Sequence, residues 1–516
     1  MARPNILVIT TDQQRTDSLS CYGSEFTHTP NLDRLASGGV ILDRAYCCNP
    51  VCTPSRVSIF SGLQVSRHGV WNVGVPTPDE IPLLSHRLCE QGYRTHYTGK
   101  MHFRPFSAPG SIENWRTTPF DTSFTGPYYG FETVELASGH THSGFGGHYG
   151  AWVREQLGVD LVKEFGRTDL GRLASTIWGG QGYNWNLPVA FHNSVWTVDR
   201  AIHFLRNADN DRPFFLALWF QDPHHLHCVS SDFEDRVKTD QLPLPDYDEG
   251  ELDDKPPHFL AQREGRIVNS GQLGTWSLPA REDNRPFHLS GQGRNGYLEV
   301  EEEDGQVGKA CYYSMVKLID REMGRLLNCL ESEGLSDNTL LIFTTDYGEL
   351  LGDHGLWLKG PFHYEQLVRV PTIVRWPAGF QGGMRCSELF SHVDIAPTVL
   401  DAAGIEARDL DGISALPMFR GDSDRIRDDV LIECVDAVDG LRLKTLVTQD
   451  EKLTWYADWD FGEFYDLGSD PREKVNLWES QAHHLARSRL LGRILERMSS
   501  LESLGSRSRG ERIALA

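Results

Sequence analysis

The amino-acid sequence predicts an α/β fold. A large, mixed but mostly parallel sheet is sandwiched by helices, and a smaller C-terminal α+β subdomain packs beside it. Short, nearly continuous apolar runs alternate with helix-like stretches over most of the 516 residues, as expected for a sheet buried on both faces. After Pro417 the pattern changes to short strand-like runs separated by turns. We therefore predict a large domain over 1–417 and, over 418–516, a subdomain with a small antiparallel sheet and a helix.

The individual elements follow from local patterns. Apolar, β-rich runs predict strands in the large domain at Asn5–Thr11, Arg94–Tyr97, Phe214–Phe220 and Thr339–Thr344. Apolar residues spaced by three and four predict helices at Pro30–Ser37, Ser55–Gly62, Leu83–Glu90 and Val307–Glu333. The same criteria predict subdomain strands at Asp429–Cys434, Leu441–Val447 and Leu453–Tyr456, and a helix at about Gln481–Leu504.

Two long segments interrupt the alternation. Residues from about 107 to 186 are rich in Gly, His and aromatic side chains, and residues from about 246 to 305 contain the acidic runs DYDEGELDD and EVEEEDG. Irregular segments of this length inside a compact domain are usually functional loops. We predict both as insertions into the large domain, with the acidic runs on its surface.

Composition excludes several functions. The chain has 50 Lys+Arg against 72 Asp+Glu and a net charge of −22, which disfavours binding to nucleic acid or to an anionic membrane. With 39% hydrophobic residues it is predicted to fold, and it has no apolar run of membrane-spanning length. Ten Cys are too few for a disulfide scaffold. The opening run MARPNILVITT is predicted as a first strand and not as a secretion signal, so we expect a cytoplasmic protein.

Two patterns resemble binding motifs but lack the required context. Gly291–Gly296 matches G-x-G-x-x-G, yet it does not follow a buried strand as a dinucleotide-binding turn should. A second group that could supply zinc ligands consists of His224, His225, His227 and Cys228. No further pair of ligands with suitable spacing accompanies this group. We predict neither a nucleotide site nor a structural zinc.

Cys52 lies in a segment where a cysteine could be reactive. It precedes the helix-like run VSIFSGL, so it is expected beside a helix N-terminus, where free N–H groups favour negative charge. Arg56 follows one helical turn later and could turn back toward the sulfur. On these residues alone, Cys52 is either a thiolate nucleophile or a buried structural cysteine.

The order C-x-P-x-R at 52–56 resembles the activation signature of type I sulfatases, the formylglycine-dependent members of the alkaline phosphatase superfamily. Other motifs of that family occur in the same order along the chain. The resemblance extends from about Pro4 to Leu477 and leaves the two irregular segments unmatched. Its motifs are PNILVITTDQQRTDSLSCYG, TPNLDRLASGGV, HYTGKMHF, FQDPHHLH, FTTDYGELLGDHGLWLKG, SHVDIAPTVLDAAGI and FYDLGSDPREKVNL.

The resemblance implies an alkaline phosphatase-like fold and a metal-assisted site. Asp12 and Asp346 each end a predicted strand at the carboxyl edge, where α/β sheets place ligands, and the resemblance makes them metal ligands together with Gln13 and the modified Cys52. Such hard oxygen donors suit Ca²⁺ best, with Mg²⁺ or Mn²⁺ as alternatives. Tyr347 departs from the family, which usually has His or Asn there. Either Tyr347 binds the metal or it packs aside and water replaces it, and we favour the second.

The remaining matched positions are cationic or can transfer protons: Arg56, Lys100, His102, His224 and Lys359. Lys100 and His102 alternate by two, so on an extended strand end both would face the same way. His363 is a weaker candidate for approaching the leaving group. Together these groups would create a positive site suited to a small oxyanion ester.

The resemblance implies a mechanism. A formylglycine-generating enzyme converts Cys52 to Cα-formylglycine, whose hydrated diol attacks sulfur. His224 or Lys359 then protonates the departing alcohol, and His102 takes the proton of the second hydroxyl as sulfate leaves.

We therefore predict a sulfatase acting on a small sulfated sugar, an aryl sulfate or an alkyl sulfate. The alternatives are a phosphonate monoester or phosphate diester hydrolase of the same superfamily, and an inactive homologue that binds a sulfated ligand. The net charge disfavours long polyanionic substrates, and no pattern indicates an oligomeric state. The organic part of the substrate is expected to meet residues of the first insertion: Trp115, His140, His142, His148, Tyr149 and Trp152.

Overall fold

A computed structural model of the chain describes residues 3–105, 110–114, 120–140, 145–158, 182–207, 211–263, 302–436 and 440–502. The glycine pattern at 291–296, together with Trp115 and His142, lies outside the described residues.

The described residues form strands and helices that alternate as the sequence predicts. The strands are β1 Asn5–Thr11, β2 Val40–Tyr46, β3 Arg94–Gly99, β4 Thr133–Ser138, β5 Gly182–Trp185, β6 Phe214–Trp219, β7 His227–Ser230, β8 Thr339–Thr345, β9 Thr372–Arg375, β10 Met384–Ser391, β11 Val430–Asp436, β12 Leu441–Val447, β13 Glu451–Tyr456 and β14 Gly462–Asp466. The helices are α1 Pro30–Ser37, α2 Cys52–Ser61, α3 Val65–His68, α4 Leu84–Glu90, α5 Gly147–Leu157, α6 Asn193–Arg206, α7 Pro257–Arg263, α8 Glu302–Ser332, α9 Glu365–Val368, α10 Ile395–Ala402, α11 Leu416–Phe419 and α12 His484–Leu501.

Eight strands form the large sheet in the order β10-β2-β9-β8-β1-β6-β3-β4. β9 is antiparallel to both of its neighbours, and every other adjacent pair is parallel. The carboxyl ends of the parallel strands therefore meet at one edge. The prediction of a large mixed, mostly parallel sheet with helices is confirmed.

The sheet is buried on both faces, and β1 shows this directly. Ile6 and Val8 belong to one hydrophobic core, whereas Leu7 and Ile9 belong to a second core on the opposite face. Each such aliphatic side chain contributes about 1.5–3 kcal/mol by leaving water. This two-sided burial explains why the central strands are almost continuously apolar in sequence.

The C-terminal subdomain is a four-stranded antiparallel sheet in the order β11-β12-β13-β14. Helix α12 packs on it through Leu490 and Ile494. Buried Lys452 of β13 lies between two carboxylates of the neighbouring segments, 3.0 Å from Glu365 Oε1 and in direct contact with Glu473. The ion pair with Glu365 connects the small sheet to the start of helix α9 in the large domain. The exact domain boundaries stay a prediction.

Among the described residues, no helix combines the length and apolarity needed to cross a bilayer.

The sequence prediction missed several strands and misplaced two helix starts. The strands that were not predicted are β2, β4, β5, β7, β9, β10 and β14. In β10 the exposed first half reads MRCSE and gives no buried-strand pattern. Helix α2 begins at Cys52 and not at Ser55, and helix α8 begins at Glu302 and not at Val307. Pro54 is accommodated in the first turn, where its missing N–H would have had no helical partner.

Gly99 ends β3 with φ +106°, and a Cβ there would lie 1.8 Å from the Trp219 carbonyl oxygen. We predict that Gly99→Ala lowers the free energy of unfolding by at least about 2 kcal/mol, since the backbone must shift as well as adopt a strained φ. Denaturant unfolding would measure this. Gly23→Ala is the matched control, because its φ is +97° and no atom lies within 4 Å of its Cβ position. Equal losses in the two variants would contradict the close-contact argument.

Candidate active site

Asp12 and Asp346 lie side by side at the carboxyl edge of the sheet. They directly follow β1 and β8, whose last residues Thr11 and Thr345 are paired in register. Both side chains are fully buried, and the Arg56 guanidinium bridges them: Nη2 lies 2.9 Å from Asp12 Oδ2 and 3.0 Å from Asp346 Oδ2. The parallel register thus brings together carboxylates far apart in sequence, and Arg56 offsets their repulsion.

The pKa values of the two carboxyl groups are shifted in opposite directions. Burial, reinforced by the charge of Asp12, raises the pKa of Asp346 to about 7. Burial also opposes ionisation of Asp12, but Lys100 and Arg56 lower its pKa below the ordinary value. This is the expected behaviour of two neighbouring buried acids that share cationic partners.

Cys52 is the first residue of α2 and is buried. Its Sγ lies 2.9 Å from the Tyr347 hydroxyl and 3.4 Å from Lys359 Nζ. Arg56 emerges one turn later on the same helix and is fixed by the Met101 carbonyl at 3.3 Å and by the Trp219 ring, whose centroid is 4.7 Å from its Cζ. The helix therefore presents the cysteine and its arginine to the same cluster of charges.

From the sequence we favour a Tyr347 side chain that packs aside, and the structure contradicts this prediction. Its hydroxyl lies 3.0 Å from Asp12 Oδ1 and 3.5 Å from Gln13 Oε1, so it points into the predicted ligand set. Burial, and then the nearby Asp12 charge, raise the pKa of this phenol well above its ordinary value.

The oxygens around Tyr347 fit a divalent cation. Glu349 accepts a hydrogen bond from Gln13 Nε2, which turns the amide oxygen of Gln13 toward the cluster. The donor set then holds two carboxylates and an amide, the hard oxygens that Ca²⁺ and Mg²⁺ prefer, with the Tyr347 hydroxyl beside them. Ligand atoms of Asp12, Cys52 and His224 also lie within 4.8 Å of one another. Glu349 was missed in the sequence because it acts only through the orientation of Gln13.

Lys100 and Lys359 surround the same cluster. Lys100 Nζ pairs with Asp12 Oδ2, and Lys359 Nζ lies 2.9 Å from His224 Nε2 and in contact with the Tyr347 hydroxyl. Direct contacts within the site thus involve four of the predicted cationic or proton-transferring residues: Arg56, Lys100, His224 and Lys359. The structure brings together the set that the sequence proposed.

His102 reaches the site by a turn, and the extended strand end predicted for it is wrong. β3 ends at Gly99, and His102 has φ +58°. The Glu113 carboxylate accepts the backbone N–H groups of His102 at 2.5 Å and Arg104 at 3.1 Å, which holds the turn. Burial lowers the pKa of His102 well below its ordinary value, and the nearby Lys100, Arg56 and Lys359 lower it further.

Other candidates lie elsewhere. His363 Nδ1 hydrogen-bonds Thr445 of the small sheet at 2.6 Å. Tyr149 is buried and donates to the Phe191 carbonyl, and His148 hydrogen-bonds Leu136 N and the Phe124 carbonyl. These residues of the first insertion serve packing, as does Trp152. His140 alone of the described aromatic candidates lies against a predicted site residue, with its ring centroid 3.9 Å from that of His224.

The chain is similar to known proteins over most of its length. The Sulfatase family model matches residues 4–405, and a model of the C-terminal part of N-sulphoglucosamine sulphohydrolase matches residues 352–500. An arylsulfatase of Clostridium perfringens is 30% identical over 93% of this chain and 91% of its own. An N-acetylglucosamine-6-O-sulfatase of Bacteroides thetaiotaomicron is 27% identical over 96% and 86%. The fold is similar to a phosphonate monoester hydrolase of Agrobacterium radiobacter, with TM-score 0.77, 23% identity and coverage of 97% and 96%.

The Sulfatase family model spans well over half of the chain, and the sequence similarity to the arylsulfatase extends over nearly its whole length, so the chain is a sulfuric ester hydrolase. It belongs to the sulfatase family.

The raised pKa of Glu113 predicts that the stability of the protein depends on pH. Burial raises the pKa of this carboxyl to about 7, although the Arg104 N–H, the Tyr128 hydroxyl and the His102 N–H that it accepts oppose the shift. The folded protein holds this proton to higher pH than the unfolded chain does. Its contribution to stability is therefore complete at low pH and is lost as pH rises from about 4.5 to about 7.

We therefore expect the stability difference between wild type and Glu113→Gln to change by up to about 3 kcal/mol in the variant's favour between about pH 5 and about pH 7.5. Urea unfolding at the two pH values would measure it. Glu234→Gln, at an exposed carboxyl, is the control and should show no such change. A pH-independent difference for Glu113→Gln would contradict the assignment.

Proposed function

We propose that the protein hydrolyses the sulfate ester of a small sulfated sugar, an aryl sulfate or an alkyl sulfate, using a formylglycine made from Cys52 and one divalent metal, with Ca²⁺ the first candidate. The observation that carries the proposal is the position of Cys52 Sγ. It lies at a buried helix N-terminus beside Lys359 Nζ and next to the carboxylate pair bridged by Arg56. In the mature protein, this sulfur would be replaced by the oxygen of the aldehyde or its hydrate.

The metal would be held by Asp12, Gln13, Asp346 and Tyr347. When bound, it supplies Lewis-acid stabilisation of negative oxygen next to the nucleophile. Glu349 supports this assignment, because it orients the Gln13 amide with its oxygen inward. The chain's own residues then carry the remaining steps.

Lys100 and Lys359 would bind the sulfate oxygens and hold the sulfur in line with the nucleophile, while Arg56 would stabilise the attacking hydroxyl. Such prearranged cations stabilise the charge that develops in the transition state more strongly in a buried site than in water. His224 and Lys359, 2.9 Å apart, form the pair that protonates the departing alcohol oxygen. His102, kept neutral by burial and by surrounding cations, would accept the proton of the second hydroxyl as sulfate is released.

The net charge of the chain and the names of similar proteins support the proposal that the substrate is small. A net charge of −22 disfavours approach of a long polyanion at low ionic strength. The similar proteins named arylsulfatase and N-acetylglucosamine-6-O-sulfatase are consistent with a small sulfate ester. Phosphonate monoester or phosphate diester hydrolysis is the rival activity, because Asp12-Gln13 is also found among those enzymes.

The deciding experiment combines peptide mass with turnover. The protein is co-expressed with a formylglycine-generating enzyme, and the tryptic peptide Ala45–Arg56 is weighed. We expect an aldehyde or hydrate at Cys52, with Cys47 and Cys48 unchanged, and multiple turnover of 4-nitrophenyl sulfate that exceeds turnover of an aryl phosphonate. A higher rate on the phosphonate would favour the rival hydrolase. Three intact thiols, with sulfated-ligand binding preserved, would favour the inactive homologue.

Cys52→Ser is the matched variant. A serine has no second hydroxyl with which to expel sulfate from its own ester, so we expect at most one product equivalent per chain. A quench-flow burst assay would count the product. Sustained turnover by Cys52→Ser would contradict the diol mechanism.

Tyr347 provides a separate prediction. If its hydroxyl is a metal ligand, Tyr347→Phe should lower metal affinity and turnover each by about tenfold or more. Metal content by mass spectrometry and kcat would be measured on the same preparations. Tyr22→Phe is the control, since Tyr22 hydroxyl bonds the Leu42 and Thr372 carbonyls and not the site. Unchanged metal content and turnover in Tyr347→Phe would exclude Tyr347 as a ligand.

A further inference from the structure

His224 is packed between two other imidazole rings. The His140 ring centroid lies 3.9 Å from it with an interplanar angle of 22°, and the His225 centroid lies 4.0 Å from it at 28°. The centroids of His140 and His225 are 6.3 Å apart, which puts His224 in the middle of a bent stack. His140 comes from the first insertion, directly after β4 and Gly139, whereas His224 follows β6.

The hydrogen bonds of His224 constrain only the edges of its ring. Nδ1 bonds the His225 carbonyl, and Nε2 lies 2.9 Å from Lys359 Nζ. Contacts at the two ring nitrogens leave the ring able to tilt about the line that joins them. Face-to-face packing by His140 opposes that tilt, because a tilted His224 ring would clash with the His140 ring or separate from it.

The backbone on either side of this contact is also joined. The buried Gln221 side chain donates from Nε2 to the Ala137 carbonyl at 2.9 Å and to the Gly139 carbonyl at 3.2 Å. Gln221 is three residues before His224, and Gly139 is next to His140. The amide therefore sets the distance between the two segments that carry the stacked rings.

We propose that His140 is a positioning residue that holds the His224 ring, through stacking, in the orientation needed to protonate the leaving oxygen together with Lys359. The proposal rests on the proposed function and deepens it, since it states which substrates depend on this contact. Hydrolysis of an ester with a poor leaving group depends strongly on protonation of the departing oxygen. Hydrolysis of an ester with a good leaving group depends on it far less. His140 thus extends the substrate range toward sulfates of weakly acidic alcohols.

The kinetic test compares 4-nitrophenyl sulfate with phenyl sulfate, whose leaving group is less acidic. His140→Ala should lower kcat for phenyl sulfate by about 100-fold and for 4-nitrophenyl sulfate by less than about fivefold, with KM within about twofold. His140→Phe keeps an aromatic face and should stay within about fivefold of wild type on both. An equal loss on both substrates, no loss, or a Phe variant as impaired as the Ala variant would overturn the proposal.

Crystal structures of the same variants give a readout that does not depend on activity. We expect the His224 ring to rotate in His140→Ala so that the hydrogen bond between Nε2 and Lys359 is lost, and to keep it in His140→Phe. An unmoved His224 in His140→Ala would overturn the proposal. If His140→Ala does not fold, His140→Gln removes the ring at similar size and serves in both tests. A wild-type protein inactive on every sulfate ester would refute the proposed function, while the crystallographic comparison would still decide the role of His140.

Discussion

The fully buried bridge between Arg56 and the carboxylates of Asp12 and Asp346 is the interaction on which the site depends. Two adjacent acids removed from water would be too costly to maintain without compensating cations or a metal. The bridge requires the exact pairing of β1 with β8 and the start of α2 at Cys52, because each supplies one of its members. Disturbing any of these elements would leave a buried charge without its partner.

Around this bridge, supporting residues orient the other groups of the candidate site. Glu349 turns the amide of Gln13, Glu113 holds the turn that carries His102, and Gln221 joins the segments of His140 and His224. Each of these supporting side chains is buried, and each fixes a neighbour by hydrogen bonds whose geometry leaves few alternatives. The first insertion contributes both Glu113 and His140, so it helps to hold His102 and His224 in place.

The sequence predicted the features that local pattern controls. β1 and α1 were predicted with their observed bounds, because apolar periodicity and a proline at the helix start are visible in the chain. The edge strand β10 was missed because half of its residues face water. The turn at His102 and the inward orientation of Tyr347 could not be predicted, since both depend on partners distant in sequence or in an irregular segment. The motif order predicted the candidate site residues, but the contacts that hold them could be seen only in the fold.

The long chain separation within the site has a consequence for biosynthesis. Cys52 and its contact Tyr347 are 295 residues apart. At about 5–20 residues per second, a ribosome needs roughly 15–60 s to add the intervening chain. During that interval, neither β8 nor Tyr347 exists to enclose the cysteine, and helix α2 has no completed sheet to pack against. Cys52 therefore lacks its Tyr347 contact throughout that interval, and the buried site can form only after β8 has been synthesised and has paired with β1.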